Sequence, residues 1–398
     1  MTNKKLTFIE SVMLIAGAGI GTGIITIPYA IGKIGIFGTV LALCVAYVAS
    51  VFTYLILADL VRNSKEPEDL IGSLNEHVFT GKGKKVLSVV FLVLLALLLL
   101  EFLVVYTLTA GDVIADLFGI HSAVAKILFY LFASSIVFFG VKGMGVGEKI
   151  SVTLIGVVVI VLTVLAIFHR NGEIPLTFGR GDTVFAVYGL FMYSMSATFA
   201  VIQVCNHIEK PERNKDLAEG DAGAEKPDRT GKAVLYGIAL NGVLTLVFSL
   251  AVILGSETVT EIATIGLSDG IGVPFVKILC SVLVLGAMFT SFWSTGFAFA
   301  DVVGGRFGLG TRISWLVTTL PAALIAILLP LSVLDYVQIG AGALSFIFLL
   351  VVFPAYKHAI REPIRPLLLG KLSGKPALIL FVVIATVLMA GSSFIPIS

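Results

Sequence analysis

The stretch AGAGIGTGIITIPYA, Ala16 to Ala30, places four glycines, Gly17, Gly19, Gly21 and Gly23, within seven residues of an apolar run. Such a segment is either a phosphate-binding loop or a membrane helix interrupted along its length. Spacing excludes the loop. A dinucleotide fingerprint requires G-x-G-x-x-G, yet Thr22 stands three residues after Gly19 and Ile24 three after Gly21. A P-loop ends in Gly-Lys-Ser/Thr, and no lysine lies between Lys5 and Lys33. Each glycine weakens a helix by about 1 kcal/mol relative to alanine. Pro28 removes a further hydrogen bond, and its ring presses on the carbonyl of Ile24. Glycines at alternate positions point around the helix, which a single packing face does not explain. The stretch reads as a discontinuous membrane helix.

Composition agrees. The chain has 398 residues, 58% of them hydrophobic and 13% charged, with mean hydropathy +1.05, against about 25% charged in soluble domains. Long apolar stretches recur from end to end, so the chain is an all-α polytopic membrane protein. A net charge of +2 is too small to suggest a nucleic-acid partner. Cys44, Cys205 and Cys280 fall in apolar runs and read as buried small hydrophobes rather than disulfide partners. The first apolar run, Phe8 to Gly32, exceeds a signal-peptide core and reads as an uncleaved first span. His77, His121, His169, His207 and His358 are scattered and suggest no metal cluster. With no nucleophile–base arrangement and no ATP-binding domain, nothing points to an enzyme or an organic cofactor.

About 20 apolar residues cross the hydrocarbon core. Eleven segments qualify: 8–32, 36–61, 86–115, 123–141, 149–168, 182–207, 232–254, 274–303, 311–330, 335–354 and 376–396. With the N-terminus inside, most Lys and Arg fall on the cytoplasmic side, leaving Lys33, Lys126, Arg170, Arg180 and Lys277 opposite. The chain is therefore expected in the cell membrane with its N-terminus cytoplasmic and its C-terminus outside. The longest hydrophilic stretches, 62–85 and 208–231, are then cytoplasmic, and the second reads as a linker broken by Pro211 and Pro227.

Lipid offers no partners to backbone N–H and C=O groups, so a broken span must line a cavity. The N–H groups of its second half suit a carboxylate and the carbonyls of its first half suit a cation. Together they suit an amino acid zwitterion or an ion–substrate pair. If spans 1–5 and 6–10 form two halves, 8–168 and 182–354, an odd number of spans per half inverts the second copy. The segment 376–396 is then an extra eleventh helix. One membrane transport domain, 1–398, results. The second break is expected in the sixth span, DTVFAVYGLFMYSMSATFAVIQVCNHIEKPERN, which carries Tyr188, Gly189, Phe191, Tyr193, Ser194 and Ser196 near its centre.

These residues resemble the amino acid–polyamine–organocation superfamily, whose members share the LeuT-type 5+5 inverted repeat. Ile20-Gly21-Thr22-Gly23-Ile24 followed by Pro28 is similar to that superfamily's first-span G-[ST]-G-[IV]-x₃-P pattern. The glycine-rich first span with eleven helices looks most like the hydroxy/aromatic amino acid permeases of the amino acid/auxin permease group. The segment EKPERN looks like the exit that follows the sixth helix in these transporters. Many superfamily members carry a glutamate just after the sixth-span glycine, whereas Gly189 is followed by Leu190 and Phe191, which leans toward neutral substrates.

The resemblance implies that the Gly21-Thr22-Gly23 turn takes the substrate carboxylate on the amides of Thr22 and Gly23. Carbonyls near Ala18, Gly19 and Tyr188 would take the ammonium, and the substrate side chain would face Phe191, Tyr193 and Tyr106. It also implies a sodium site on the carbonyls of Gly17 and Ile20 with Ser291, Ser294 and Thr295, which share one face by i, i+3 and i+4 spacing. The bland alternative is that these hydroxyls bond carbonyls of their own helix. Glu101 is the rival, a proton carrier. It lies about 22 Å along its helix from Val86, where an ionised carboxylate must be protonated, paired or facing a wet cavity.

The expected function is ion-coupled uptake of neutral amino acids, aromatic ones first, by alternating access, with Na⁺ or H⁺ as coupling ion. The rivals are a same-fold carrier of another metabolite, such as a nucleobase, and a sensor that binds an amino acid without cycling.

Overall fold

A computed structural model describes residues 5–21, 23–64, 70–78, 84–208, 229–260, 263–329, 344–392 and 394–395. Among them the backbone is helical almost throughout. Helix α1 (Phe8–Ile20) opens with a capping box: the Thr7 N–H donates to Glu10 Oε2 at 2.8 Å and the Glu10 N–H to Thr7 Oγ1 at 3.3 Å. It stops at Gly21, whose φ of 25° and ψ of −134° are open to glycine and strained for other residues. Helix α2 (Gly23–Arg62) carries Pro28 near its start and leaves helical geometry at Gly35, φ 69° and ψ 175°. The first span is thus two pieces, and Gly35 is the turn into the second. A loop strand braces that turn, with Ile36 N–H donating to the Pro175 carbonyl at 2.9 Å and Gly179 N–H to Ile34 at 2.8 Å.

A short helix α3 (Leu70–His77) precedes α4 (Lys84–Phe118) and α5 (Ser122–Ser134), which tightens into a 3₁₀ turn at Ser135–Phe138. Helix α6 (Gly140–Phe168) follows, then the two halves of the sixth span, α7 (Gly181–Ser194) and α8 (Thr198–His207). Next come α9 (Thr230–Gly255), α10 (Ala263–Ile271), α11 (Pro274–Phe307) and α12 (Thr311–Leu328). The described chain ends with α13 (Leu344–Ala359), which contains a π-helical turn at Phe348–Val352, and α14 (Pro376–Ser392). Among the described residues, seven helical segments are long and apolar enough to cross a membrane, and four shorter apolar helices, α1, α5, α13 and α14, accompany them.

Several boundaries differ from the sequence reading. The fifth span starts at Gly140 rather than 149, because GVKGMGVGEK, which reads as a polar glycine-rich loop, is helix packed on its neighbours. There Gly145 makes room for Leu6, and Gly147 for the Trp293 ring. The hydrophilic stretch 62–85 contains α3. Residues 335–343 of the tenth segment and 209–228 of the linker lie outside the described residues. Cys44 is exposed rather than buried, while Cys205 is half-buried and Cys280 buried, all three as free thiols. Asp59 is fully buried: it accepts the Leu368 N–H at 2.7 Å and lies 3.6 Å from Arg62.

Lipid is as apolar as leucine, so the helices associate through close packing and hydrogen bonds rather than by escaping water. The long helices accordingly show apolar residues on both faces. On α4, Val86, Val90, Val93 and Leu97 are exposed along one stripe, while Leu95, Leu98, Leu99 and Phe102 turn inward. Cross-helix hydrogen bonds tie the inner faces: Trp293 Nε1 donates to Ala133 O at 3.0 Å, and Lys126 Nζ to Ala326 O at 3.0 Å. Each such bond is worth about 0.6 kcal/mol on average. α2 packs chiefly on α7 and α9, and α11 on α4, α6 and α12, which sets the two broken spans side by side at the centre. At one end, Leu6 N–H donates to His207 O at 2.7 Å, joining the chain before α1 to the end of α8.

Candidate substrate site between the broken spans

Each of the four glycines meets a different neighbour. A Cβ on Gly17 would strike Glu148 of α6 and come within 3.1 Å of Thr290 of α11. One on Gly19 would strike Asn241 of α9 and lie 2.6 Å from the Ser194 carbonyl. A Cβ on Gly21 would lie 3.0 Å from Ser291 Oγ and 3.8 Å from the Tyr106 ring, and one on Gly23 would strike the Ser194 side chain. The glycines let five helices, α4, α6, α7, α9 and α11, converge on the break, which is closer packing on several sides and a break at once.

The sixth span breaks opposite, at Met195 (φ −86°, ψ 7°) and Ala197 (φ −131°, ψ 27°). The carbonyl of Ser194, at the end of α7, accepts from Asn241 Nδ2 at 2.7 Å, and Thr245 donates to Asn241 Oδ1 at 3.3 Å. Ala197 gives α8 no side-chain cap, so the first-turn N–H groups of Thr198, Phe199 and Ala200 have no capping partner from it. Tyr54 Oη donates to Ser196 Oγ at 3.3 Å and steadies the break from α2.

Between the breaks lies a cavity of about 40 Å³, lined by Ala18, Gly19 and Gly21 from the first span and Ser196 to Ala200 from the sixth. α4 contributes Phe102 and Tyr106, α7 Tyr193, and α11 Ser294 and Thr295. Part of the lining is polar, made of backbone at both breaks with the hydroxyls of Ser196, Thr198, Ser294 and Thr295, and part is aromatic. Phe102 stands at 6.2 Å and 71° to Tyr193, and at 6.5 Å to Tyr106. The hydroxyl of Thr198 is buried without a partner. The volume holds about three waters, so a bulky ring enters only when the aromatic walls move apart.

Of the substrate residues read from sequence, Ala18, Gly19, Gly21, Tyr106 and Tyr193 line this cavity. Gly23 sits beside it against Ser194. Thr22 lies outside the described residues. Tyr188 turns away, its hydroxyl donating to Ala385 O of α14 at 2.8 Å. Phe191 is fully buried and is not part of the lining. Of the ion residues, the Gly17 carbonyl accepts from Thr290 at 3.1 Å and Ser291 at 3.5 Å, and Ser291 also reaches Ala18 O at 3.4 Å. These hydroxyls thus bond the carbonyls of a neighbouring helix. Ile20 is fully buried, and Ser294 and Thr295 open on the cavity instead of joining Ser291 at Gly17. Glu101 lies one residue before Phe102, with both carboxylate oxygens buried and without a partner.

Sequence reading missed Phe102, Thr198, Phe199, Asn241 and Glu148. Asn241 stands in ALNGVL and Glu148 in a glycine-rich stretch beside Lys149, and neither context marks the contact it makes.

The architecture has solved counterparts. MhsT, whose structure was determined in complex with L-phenylalanine, superposes with a TM-score of 0.69 at 15% identity, covering 97% of this chain and 98% of that one. Mhp1, a nucleobase-cation-symport-1 family transporter solved in a closed conformation with bromovinylhydantoin bound, gives 0.68 at 11% identity over 99% and 92%. The fold is of LeuT type, and the molecule is a multi-pass membrane transporter of the secondary class, not an enzyme. The sequence profile of the tryptophan/tyrosine permeases matches residues 4–214, more than half of the 398. The chain belongs to the tryptophan/tyrosine permease family. No curated protein sequence matches it.

Proposed function

We propose that this protein is an ion-coupled carrier of aromatic amino acids that binds its substrate between the two broken spans and moves it by alternating access. The observation that carries the reading is the mixed lining of the cavity, which combines backbone and hydroxyls at the two breaks with the rings of Phe102, Tyr106, Tyr193 and Phe199. A zwitterion with an aromatic side chain needs both kinds of lining. The carboxylate suits the amides of Thr22 and Gly23 read from the sequence, and the ammonium suits the carbonyls near Ala18 and Gly19. The phenylalanine held by MhsT and the family's name support the same substrate class. We infer two five-helix halves, 8–168 and 182–354, with 376–396 added, a cytoplasmic N-terminus and residence in the cell membrane.

The coupling ion is Na⁺ or H⁺. The hydroxyls of Thr290 and Ser291 gather on the carbonyl of Gly17, and all three oxygens are groups that a sodium ion takes as ligands. Glu101, buried and unpartnered, is one candidate proton carrier.

The test is uptake of labelled tryptophan, tyrosine and phenylalanine into proteoliposomes under separately imposed inward proton and sodium gradients. Accumulation under a gradient, blocked by any unlabelled aromatic amino acid, is the expected result. Uptake of a labelled nucleobase that aromatic amino acids leave untouched would overturn the substrate class. Saturable binding with neither accumulation nor counterflow would make the protein a sensor.

A further inference from the structure

Glu148, on the third turn of α6, has no place in the substrate cavity. It is 0% exposed, and both carboxylate oxygens are buried without a hydrogen-bond partner. Its Oε2 fills the space that a Cβ on Gly17 would take. Thr290 stands at the same point, and its hydroxyl is spent on the carbonyls of Gly17 and Ala287, at 3.1 and 2.8 Å. Three helices, α1, α6 and α11, therefore meet at this carboxylate, and they meet because residue 17 has no side chain.

An ionised carboxylate enclosed this way costs several kcal/mol unless a positive group faces it. None does among the described residues. On α1 the titratable group is Glu10, about 10 Å along the helix from Gly17, and it is held by Lys142 of α6 at 2.6 Å. Lys149, the next residue on α6, is exposed on another face. α9 brings Lys232 and Tyr236, near its first turns, and α10 brings Asp269. α11 brings Lys277, Cys280, Asp301 and Arg306, ten or more residues from Thr290. The hydroxyl of Thr290 donates to the carbonyl of Gly17 and not to the carboxylate. A proton needs only the carboxylate.

We propose that Glu148 is a proton-binding site coupled to the movement of α1. As the neutral acid it lets α1 close on α6 and α11. Loss of the proton to water leaves a charge that the closed junction cannot hold, and α1 separates. Glu101 is placed differently: α4 packs on α5, α11 and α12, away from the junction of α1 with α6. The inference rests on the carrier reading above and goes beyond it by naming the group that couples proton to motion.

The experiment compares native protein, Glu148→Gln and Glu148→Asp in proteoliposomes, reading tryptophan counterflow without a gradient and accumulation under a proton gradient. Glu148→Gln is expected to keep counterflow and lose proton-driven accumulation. Glu148→Asp, one methylene shorter but still ionisable, is expected to accumulate with a displaced pH profile. Native-like accumulation by Glu148→Gln overturns the assignment. So does a native pH profile in Glu148→Asp, which also decides the matter if Glu148→Gln fails to fold. If native protein accumulates tryptophan on sodium alone, indifferent to pH, the carrier reading stands and the role of Glu148 falls. If native protein transports no aromatic amino acid at all, the proposed function itself has failed.

Discussion

At the scale of single residues, the break in the first span is held open by what the glycines lack. Gly23 lies so close to Ser194 that an added Cβ would stand 3.2 Å from the Ser194 Cα and closer still to its side chain. Gly23→Val therefore forces α2 and α7 apart and turns a branched side chain toward the amides proposed for the carboxylate. Tryptophan binding, measured by radioligand filtration on protein that remains monodisperse in detergent, is expected to vanish. Binding at native affinity would remove this turn from the substrate site. The glycines announced themselves in the sequence because four in seven residues conflict with a continuous helix. Asn241 did not. An asparagine in ALNGVL is ordinary until α9 is set beside the end of α7, where it takes the Ser194 carbonyl. Glu148 was hidden by the glycines around it, which read as a loop until Leu6 and Trp293 are seen filling the spaces they leave.

At the scale of the elements, the sixth span shows why a glycine is an incomplete guide to where a helix stops. Gly189 suggested a break near Tyr188, yet α7 continues to Ser194 and the chain departs from helix only at Met195–Ala197. Both of those residues keep negative φ, which any side chain tolerates, so the break needs no glycine and leaves no mark in the sequence. Gly189 serves a different contact, the close approach of Ser392 on α14. Tyr188 points the same way and bonds Ala385. Tyr188→Phe is accordingly expected to leave tryptophan affinity unchanged while lowering the melting temperature slightly, by the loss of a bond worth about 0.6 kcal/mol. A drop in affinity with unchanged melting would return Tyr188 to the substrate site.

At the scale of the whole molecule, apolar length made the helices legible, because the bilayer fixes how long a span must be. Contacts between distant loops were not legible, since they follow from helix order in space. His77 of α3 and His358 of α13 read as scattered, yet their Nδ1 atoms approach to 3.4 Å. Burial holds the His77 pKa below its ordinary 6.5, opposed by Glu76 and reinforced by His358. A folded-state pKa below the unfolded one favours the fold while His77 is neutral, and that contribution is lost as pH falls below about 6.5 and through the folded value. The melting temperature of native protein in detergent should therefore fall more steeply on acidification than that of His77→Gln. Equal slopes would place the acid-sensitive group elsewhere.

Leu6 gives the assembly a mechanical property. Its N–H holds His207 at the end of α8, and its side chain fills the notch at Gly145. Farther in, Gly19 and Gly23 clasp the end of α7 at Ser194. The first and sixth spans are therefore riveted at two depths, and two beams riveted twice swing as one lever instead of hinging on each other. For α1 to turn while α8 stays, the rivet at Leu6 has to shear first.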